Sequence, residues 1–304
     1  MGAGRDIALL ARRWRWARRS LLPHSAIPHA PPAQPREFPT EWARTPAGQV
    51  ARAGVQQGGF KPVLWTQTRP EVYGREHLDG LEAPAIFVAN HSSHLDAPLM
   101  LCSLPPGWAR QVAVGAAADY FFDARWRASL TALAFNAFPV ERRGGARVTG
   151  TAKRLLGEGW SLLLFPEGTR SSDGWMQDFR SGPARLCCGG GVPAVPVALR
   201  GTYRAMPRGR HWPGPGRPRV VVRFGRPLRP EQGEGPSAFS ERLTEGIARL
   251  WDEEETTWWE AQRRDRTELL AGTAGPDAPR WRRTWESTRP GRNSAPNSFR
   301  AWPE

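Results

Sequence analysis

The sequence predicts an α/β protein: one domain with a central, mostly buried sheet of about seven strands flanked by helices, carrying helical or disordered extensions at both ends. Three observations point there. Seven short runs of apolar, often β-branched residues are each bounded by Gly, Pro or a polar turn. Stretches long enough for helices lie between several of them, an alternation that builds a buried sheet with helices on its faces. Polar clusters follow directly on the apolar runs, at strand carboxyl ends, where open α/β sheets place their sites.

In chain order, Ile7, Leu10, Trp14, Ala17 and Leu21 recur at helical spacing, with Arg12, Arg15, Arg18 and Arg19 mostly elsewhere around the wheel, and Pro23 stops the pattern. A basic helix with Trp and Leu on one side is of the membrane-surface type; a helix packed on the core or a disordered arm are the alternatives. Residues 24–59, rich in Pro, Gly and Gln, read as a linker. The strand candidates are KPVLWTQT (61–68), APAIFVAN (83–90), RQVAVGAA (110–117), NAFPVER (136–142), WSLLLFPEG (160–168), VPAVPVALRG (192–201) and PRVVVRFG (218–225). Helices are expected over 96–104, 119–135, 148–157 and 182–188. Phe239, Leu243, Ile247, Leu250 and Trp251 mark a further amphipathic helix. A polar tail follows, dotted with Trp281, Trp285 and Trp302. The chain thus divides into an N-terminal segment 1–59, a folded domain 60–230 and a C-terminal segment 231–304.

Composition narrows the chemistry. The formal net charge is +14, nearly all of the basic excess arginine, since lysine occurs only at Lys61 and Lys153. Between Arg200 and Arg229 there are nine arginines and no acid. Such charge attracts phosphates on lipid, cofactor or nucleic acid. A nucleic-acid binder is the rival from another class, but no recognised motif of that kind is present. Three cysteines, Cys102, Cys187 and Cys188, make no disulfide framework and suit a reducing compartment. No run of eighteen apolar residues occurs, so no spanning helix is expected.

The chemistry concentrates in two stretches. VANHSSHLDAP puts His91 in the turn after a strand and Asp96 at the start of a helix. A carboxylate so placed can hold one imidazole nitrogen and leave the other to take a proton, the arrangement of a general base. A polar structural turn fits the same residues. His91 and His94 also form H-x-x-H, but no H-E-x-x-H and no C-x-x-C supplies further ligands, so no metal is expected. LLLFPEGTRSSDG ends another strand with Glu167, Gly168, Thr169 and Arg170; glycine admits close backbone approach, and the arginine offers a fork suited to phosphate. Arg142 and Arg180 stand after strands as well. Cys187 and Cys188, at a helix end before a glycine run, are better read as packing residues than as nucleophiles.

NHSSHLD resembles the H-x4-D motif of the glycerolipid (lysophospholipid) acyltransferases, and FPEGTRS resembles that family's phosphate-binding E-G-T-R block. FPVERRGG is similar to the intervening block, with Arg142 at its basic position and Glu141 where aspartate is common. VPAVPVALRG is similar to the fourth block, with Pro196 in the proline place. Order and spacing agree over about residues 72–228, with the bacterial 1-acyl-glycerol-3-phosphate acyltransferases the nearest pattern. The N-terminal hydrophobic segments of many members have no counterpart here.

The resemblance implies acyl transfer from acyl-CoA or acyl carrier protein, as co-substrate, to a lysophospholipid hydroxyl, with no other cofactor. His91 would be the base and Asp96 its orienter. Arg142, Glu167, Gly168, Thr169 and Arg170 would hold the acceptor phosphate, Glu167 by bracing a nearby arginine. Asn90, Arg180 and Pro196 are further candidates. A membrane lipid surface is the expected partner and nucleic acid is not, giving a cytoplasmic protein held peripherally at the inner face of the cell membrane. Membrane contact would fall to the N-terminal helix, the Arg200–Arg229 segment or the Trp-bearing tail. Another acceptor of the same family, or a non-catalytic membrane-surface scaffold, are the alternatives.

Overall fold

The structure, a computed structural model, describes residues 39–140 and 146–288. The basic pattern over residues 7–21, Arg142 and Trp302 lie outside the described residues. In chain order the described elements are α1 (Pro46–Gly54), α2 (Lys61–Gln67), β1 (Arg69–Tyr73), β2 (Ile86–Ala89), α3 (Asp96–Ser103), α4 (Pro106–Gln111), β3 (Val112–Ala117), α5 (Ala118–Phe121), α6 (Arg125–Phe135), β4 (Phe138–Val140), α7 (Ala146–Gly157), β5 (Ser161–Leu164), α8 (Gly182–Gly190), β6 (Ala194–Arg200), α9 (Thr202–Ala205), β7 (Arg219–Phe224), α10 (Pro236–Asp252), α11 (Trp258–Arg263), α12 (Arg266–Ala274) and α13 (Arg280–Thr288). Short 3-10 turns and one π-helical turn, Val55–Phe60, complete the set.

The strands form one seven-stranded sheet in the order β1-β7-β6-β2-β5-β3-β4. From β6 to β4 neighbouring strands are parallel; β7 is antiparallel to β6, and β1 runs parallel to β7. The central strands read as continuous apolar runs because both faces are covered. Alternate residues nevertheless sort to opposite faces. Phe87, Ala89, Leu163, Val195, Val197 and Leu199 join one core cluster with Leu99 of α3. Ile86, Val88, Leu162, Ala194 and Ala198 join the other, with Leu155 of α7 and Phe239, Leu243 and Ile247 of α10.

Six of the seven strand runs form as expected; the first does not. KPVLWTQT is helical as α2, and the strand falls one segment later, on Arg69–Tyr73. Pro62 sits in the first turn of α2, where its missing N–H costs nothing. RPEVY carries little apolar signal because β1 is an edge strand with its residues partly solvated, a place where Pro70 is tolerated. Much of the expected linker is also ordered, from Pro46 through Phe60. Tertiary hydrogen bonds hold it. Buried Arg52 donates to Ala43 O at 2.8 Å and to Arg110 O at 3.3 Å, and Gln56 donates to Ala134 O at 2.9 Å.

The run from Arg200 to Arg229 is not a bare basic face. Arg200 pairs with Glu255, Arg219 with Glu71 and Glu254, and Arg223 with Glu253 and Glu254, so acids from distant sequence answer three of its nine arginines. No helix among the described residues is long and apolar enough to cross a membrane.

Because Phe239 is fully buried in the second cluster, Phe239→Ala is expected to destabilise the protein by about 3–5 kcal/mol. Urea unfolding followed by tryptophan fluorescence and circular dichroism checks this: one shared transition moved to lower urea is expected, whereas an unmoved transition would detach α10 from the cooperative core.

Candidate active site

β2 and β5 are parallel neighbours, with Ile86 opposite Leu162 and Val88 opposite Leu164. Their carboxyl ends therefore open at one edge of the sheet, and the chain segments that leave them meet. This brings together two motifs more than seventy residues apart.

Asn90 extends β2 by its side chain: Nδ2 donates to Leu199 O at 2.9 Å, and Oδ1 accepts from Leu199 N–H at 2.7 Å. It is a buried strut between β2 and β6. The chain then turns so that Asp96 opens α3. Asp96 Oδ2 accepts three hydrogen bonds, from Ser92 N–H at 2.7 Å, Ser93 N–H at 2.8 Å and His91 Nδ1 at 2.8 Å. The Asp96 side chain is fully buried, and the His91 side chain is 20% exposed. Backbone N–H groups and the helix N-terminus both favour a negative charge there. An ionised carboxylate can only accept, so the ring proton sits on Nδ1 and the lone pair on Nε2. The ring stacks on Phe165 at 4.2 Å, which fixes its plane.

Glu167 arrives from β5. Its Oε1 accepts from His91 N–H at 2.7 Å and its Oε2 from Gln177 N–H at 3.2 Å. The carboxylate thus braces the backbone of the histidine turn as well as its own loop. Gly168 has φ +71°, and a Cβ added there would stand 3.0 Å from Arg180 Cζ. Only glycine lets the Arg180 guanidinium lie against this turn.

His91, Gly168, Thr169, Arg170 and Arg180 line one cavity of about 1050 Å³. Its lining has two chemistries. Arg170, Arg180, Arg185 and Arg208 supply cationic groups. Val114, Phe121, Phe135, Phe138, Val140 and Leu164 supply an apolar wall from the β5–β3–β4 side of the sheet. A ligand with an anionic head and a hydrocarbon chain matches both.

Pro196 and Asn90 are not among the residues lining this cavity. Pro196 packs in β6 towards Gly246 of α10, and its carbonyl accepts from Gly225 N–H at 2.8 Å. Sequence reasoning missed Phe165, visible only as the residue before PEG, and Arg208, which stood in the arginine-rich stretch without a stated role. It also missed His94 as a lining residue. That ring stacks with Tyr120 at 5.9 Å. Burial, followed by the charge of Arg170, pushes the His94 pKa down to about 4. No group of three or more metal-ligating side chains occurs among the described residues.

Residues 69–200 match the family model described as Acyltransferase. A 1-acyl-sn-glycerol-3-phosphate acyltransferase of Chlamydomonas reinhardtii is 32% identical over 161 residues, 50% of this chain and 45% of that protein. A chloroplastic one of Arabidopsis thaliana is 33% identical over 141 residues, 45% and 38% of the two chains. That of Pseudomonas aeruginosa is 35% identical over 92 residues, 28% and 32%. The crystal structure of the 1-acyl-sn-glycerophosphate (LPA) acyltransferase of Thermotoga maritima aligns with TM-score 0.54 and 25% identity, covering 72% of this chain and 85% of that one. Residues 69–200 of the chain therefore carry the pattern of the acyltransferase family. The chain spans about half the length, or less, of the curated relatives it matches, and those relatives are named as 1-acyl-sn-glycerol-3-phosphate acyltransferases.

Two expectations follow. Burial raises the Cys102 thiol to about 11 and the Cys187 thiol to about 12, which keeps both protonated and inert. Iodoacetamide at pH 8 followed by peptide mass spectrometry should leave both unlabelled until the protein is unfolded; prompt labelling of native Cys187 would restore it as a nucleophile. His94, with a folded pKa near 4 against an ordinary 6.5, takes up its proton in the unfolded chain first. Stability should accordingly fall as pH drops from about 6.5 to 4, and His94→Asn should flatten that fall in urea titrations. An unchanged slope would place the loss elsewhere.

Proposed function

We propose that this protein transfers an acyl chain from an acyl thioester, acyl-CoA or acyl carrier protein, to the free hydroxyl of 1-acyl-glycerol-3-phosphate, giving phosphatidic acid. The observation that carries the reading is the His91–Asp96 pair, 2.8 Å apart, on the wall of a cavity lined by arginines on the one hand and hydrocarbon on the other. The names of its relatives support the acceptor.

His91 Nε2 takes the acceptor hydroxyl proton as that oxygen attacks the thioester carbonyl. Asp96 holds the ring's tautomer and stabilises the imidazolium that forms. The tetrahedral intermediate then expels the thiolate. The C–S bond breaks, the new ester C–O bond stays, and the imidazolium returns its proton to sulfur. No acyl-enzyme is needed, which agrees with cysteines held protonated by burial. Arg170, with Thr169 and Gly168, binds the acceptor phosphate, and Arg180 lies against the same turn. Glu167 positions both loops through the backbone. Arg142, expected at the phosphate as well, lies outside the described residues. The apolar wall takes an acyl chain. A substrate of this class reaches the protein from a lipid surface, so the protein works peripherally at a membrane.

The test is thioester consumption by the purified protein with palmitoyl- or oleoyl-CoA, then acyl carrier protein, against a panel of lysophosphatidic acid, glycerol-3-phosphate and lysophospholipids with larger heads. Products are read by mass spectrometry. His91→Ala should lower turnover by about 10²–10⁴ while its circular dichroism matches the parent. Near-parental activity in that variant removes His91 from the mechanism. Selective acylation of another acceptor corrects the substrate, and no acylation with either donor defeats the reading.

A further inference from the structure

The C-terminal helices lie beyond residues 69–200, the segment matched to the family. They nevertheless reach the turn that follows Arg170. Asp173 has a fully buried side chain, and its Oδ2 accepts from Arg283 Nε at 3.0 Å and forms an ion pair with Arg283 Nη2 at 2.9 Å. Arg283 Nη1 donates onward to Ala274 O and Pro276 O, both at 3.0 Å, so the guanidinium is fixed on its C-terminal side too. Met176 N–H donates to Thr273 O at 3.2 Å, and Thr284 Oγ1 meets Ser172 Oγ at 3.5 Å. Three grips from α12 and α13 thus hold a turn only six residues long.

Inside that turn the bonds lead back to the site. Asp173 Oδ1 accepts from Ser171 Oγ at 2.9 Å and from Trp175 N–H at 3.3 Å. Ser171 Oγ accepts in turn from Gly174 N–H at 3.0 Å. Ser171 N–H donates to His91 O at 2.8 Å. Gly174 takes φ +87° with the Tyr203 ring where a Cβ would stand, and Tyr203 donates to Ser172 O at 2.7 Å. Ser171 therefore carries restraint in two directions, to the backbone of His91 and to the adjacent Arg170.

We infer that Arg283 is a positioning residue for acceptor binding: through Asp173 and Ser171 it sets where Arg170 stands relative to His91, which makes the C-terminal helix a working part of the site. The inference rests on the acyl-transfer reading for its kinetic arm only. A guanidinium held against a buried carboxylate and fixed by two carbonyls on its other side is a rigid link, and losing it leaves the Asp173 carboxylate buried without its counter-charge. The nearest consequence is a loosened turn, and the cationic group one residue before Ser171 loosens with it. The proton-transfer pair would keep its own bonds to Ser92 and Ser93.

The test compares the full-length protein with Arg283→Gln and Arg283→Lys. In Arg283→Gln the KM for lysophosphatidic acid should rise about tenfold or more, while kcat and the KM for acyl-CoA stay within about twofold. Arg283→Lys, which keeps the charge but not the fork, should fall between the two. Hydrogen exchange of the peptide spanning 171–177 should accelerate in Arg283→Gln with the sheet strands unchanged. If the acceptor KM is unmoved, or if all parameters and all strands change together, the positioning role is overturned and Arg283 is a stability residue. If Arg283→Gln does not fold, the lysine variant decides on the same two readouts. Should the parent protein acylate no lysophospholipid, the acyl-transfer reading has failed, and the exchange comparison still decides whether Arg283 holds the turn.

Discussion

The parallel pairing of β2 with β5 is the constraint on which the site depends. Parallel neighbours end at the same edge, so two loops separated by a long crossover emerge side by side. Had the pair been antiparallel, His91 and Glu167 would leave opposite ends of the sheet. As built, the Glu167 carboxylate can accept the His91 N–H at 2.7 Å, and the Ser171 N–H can reach His91 O at 2.8 Å. The histidine's backbone is thereby pinned from the β5 side, while its ring is pinned from its own side by Asp96 and flattened on Phe165. The general base proposed for His91 would need both restraints, because its usefulness falls steeply with misplacement.

Asp96 shows how little local sequence such a restraint requires. One oxygen collects two backbone N–H groups and the imidazole, all from residues 91–93. The five-residue spacing works because the chain turns tightly before α3 begins, bringing residues at either side of the turn onto a single acceptor. A shift of one residue would move the carboxylate around the first turn of the helix and off the ring. The spacing in H-x4-D is thus a statement about turn geometry.

This is why the two turns of the candidate site were legible in the sequence while parts of the fold were not. The histidine turn, the E-G-T-R turn and six strands are written in contiguous residues: apolar runs, a glycine, a proline, a spaced pair. β1 is written in none of these, since Arg69, Pro70 and Glu71 occupy an edge where burial does not select apolar side chains. α1 depends on Arg52, a buried arginine answered by carbonyls at Ala43 and Arg110, and no periodicity announces such a partner. Arg208 and His94 join the cavity through tertiary position alone. The hold of Arg283 on Asp173 spans 110 residues and is equally invisible to spacing.

The placing of charge follows the same logic. A strongly basic chain would surround itself with an unselective positive field if its arginines stood free. Here Glu71 and Glu253–Glu255 occupy Arg200, Arg219 and Arg223, pairs that contribute little stability where exposed but remove cation character from the β7 side. The cavity gathers Arg170, Arg180, Arg185 and Arg208 on its wall, away from that side. His94 adds no charge to them at neutral pH, because burial and Arg170 keep its ring neutral. The cavity consequently offers guanidinium groups, one imidazole held by Asp96, one neutral imidazole and a hydrocarbon wall. That combination suits the proposed acceptor, with its anionic head, hydroxyl and acyl chain, before any conformational change is invoked.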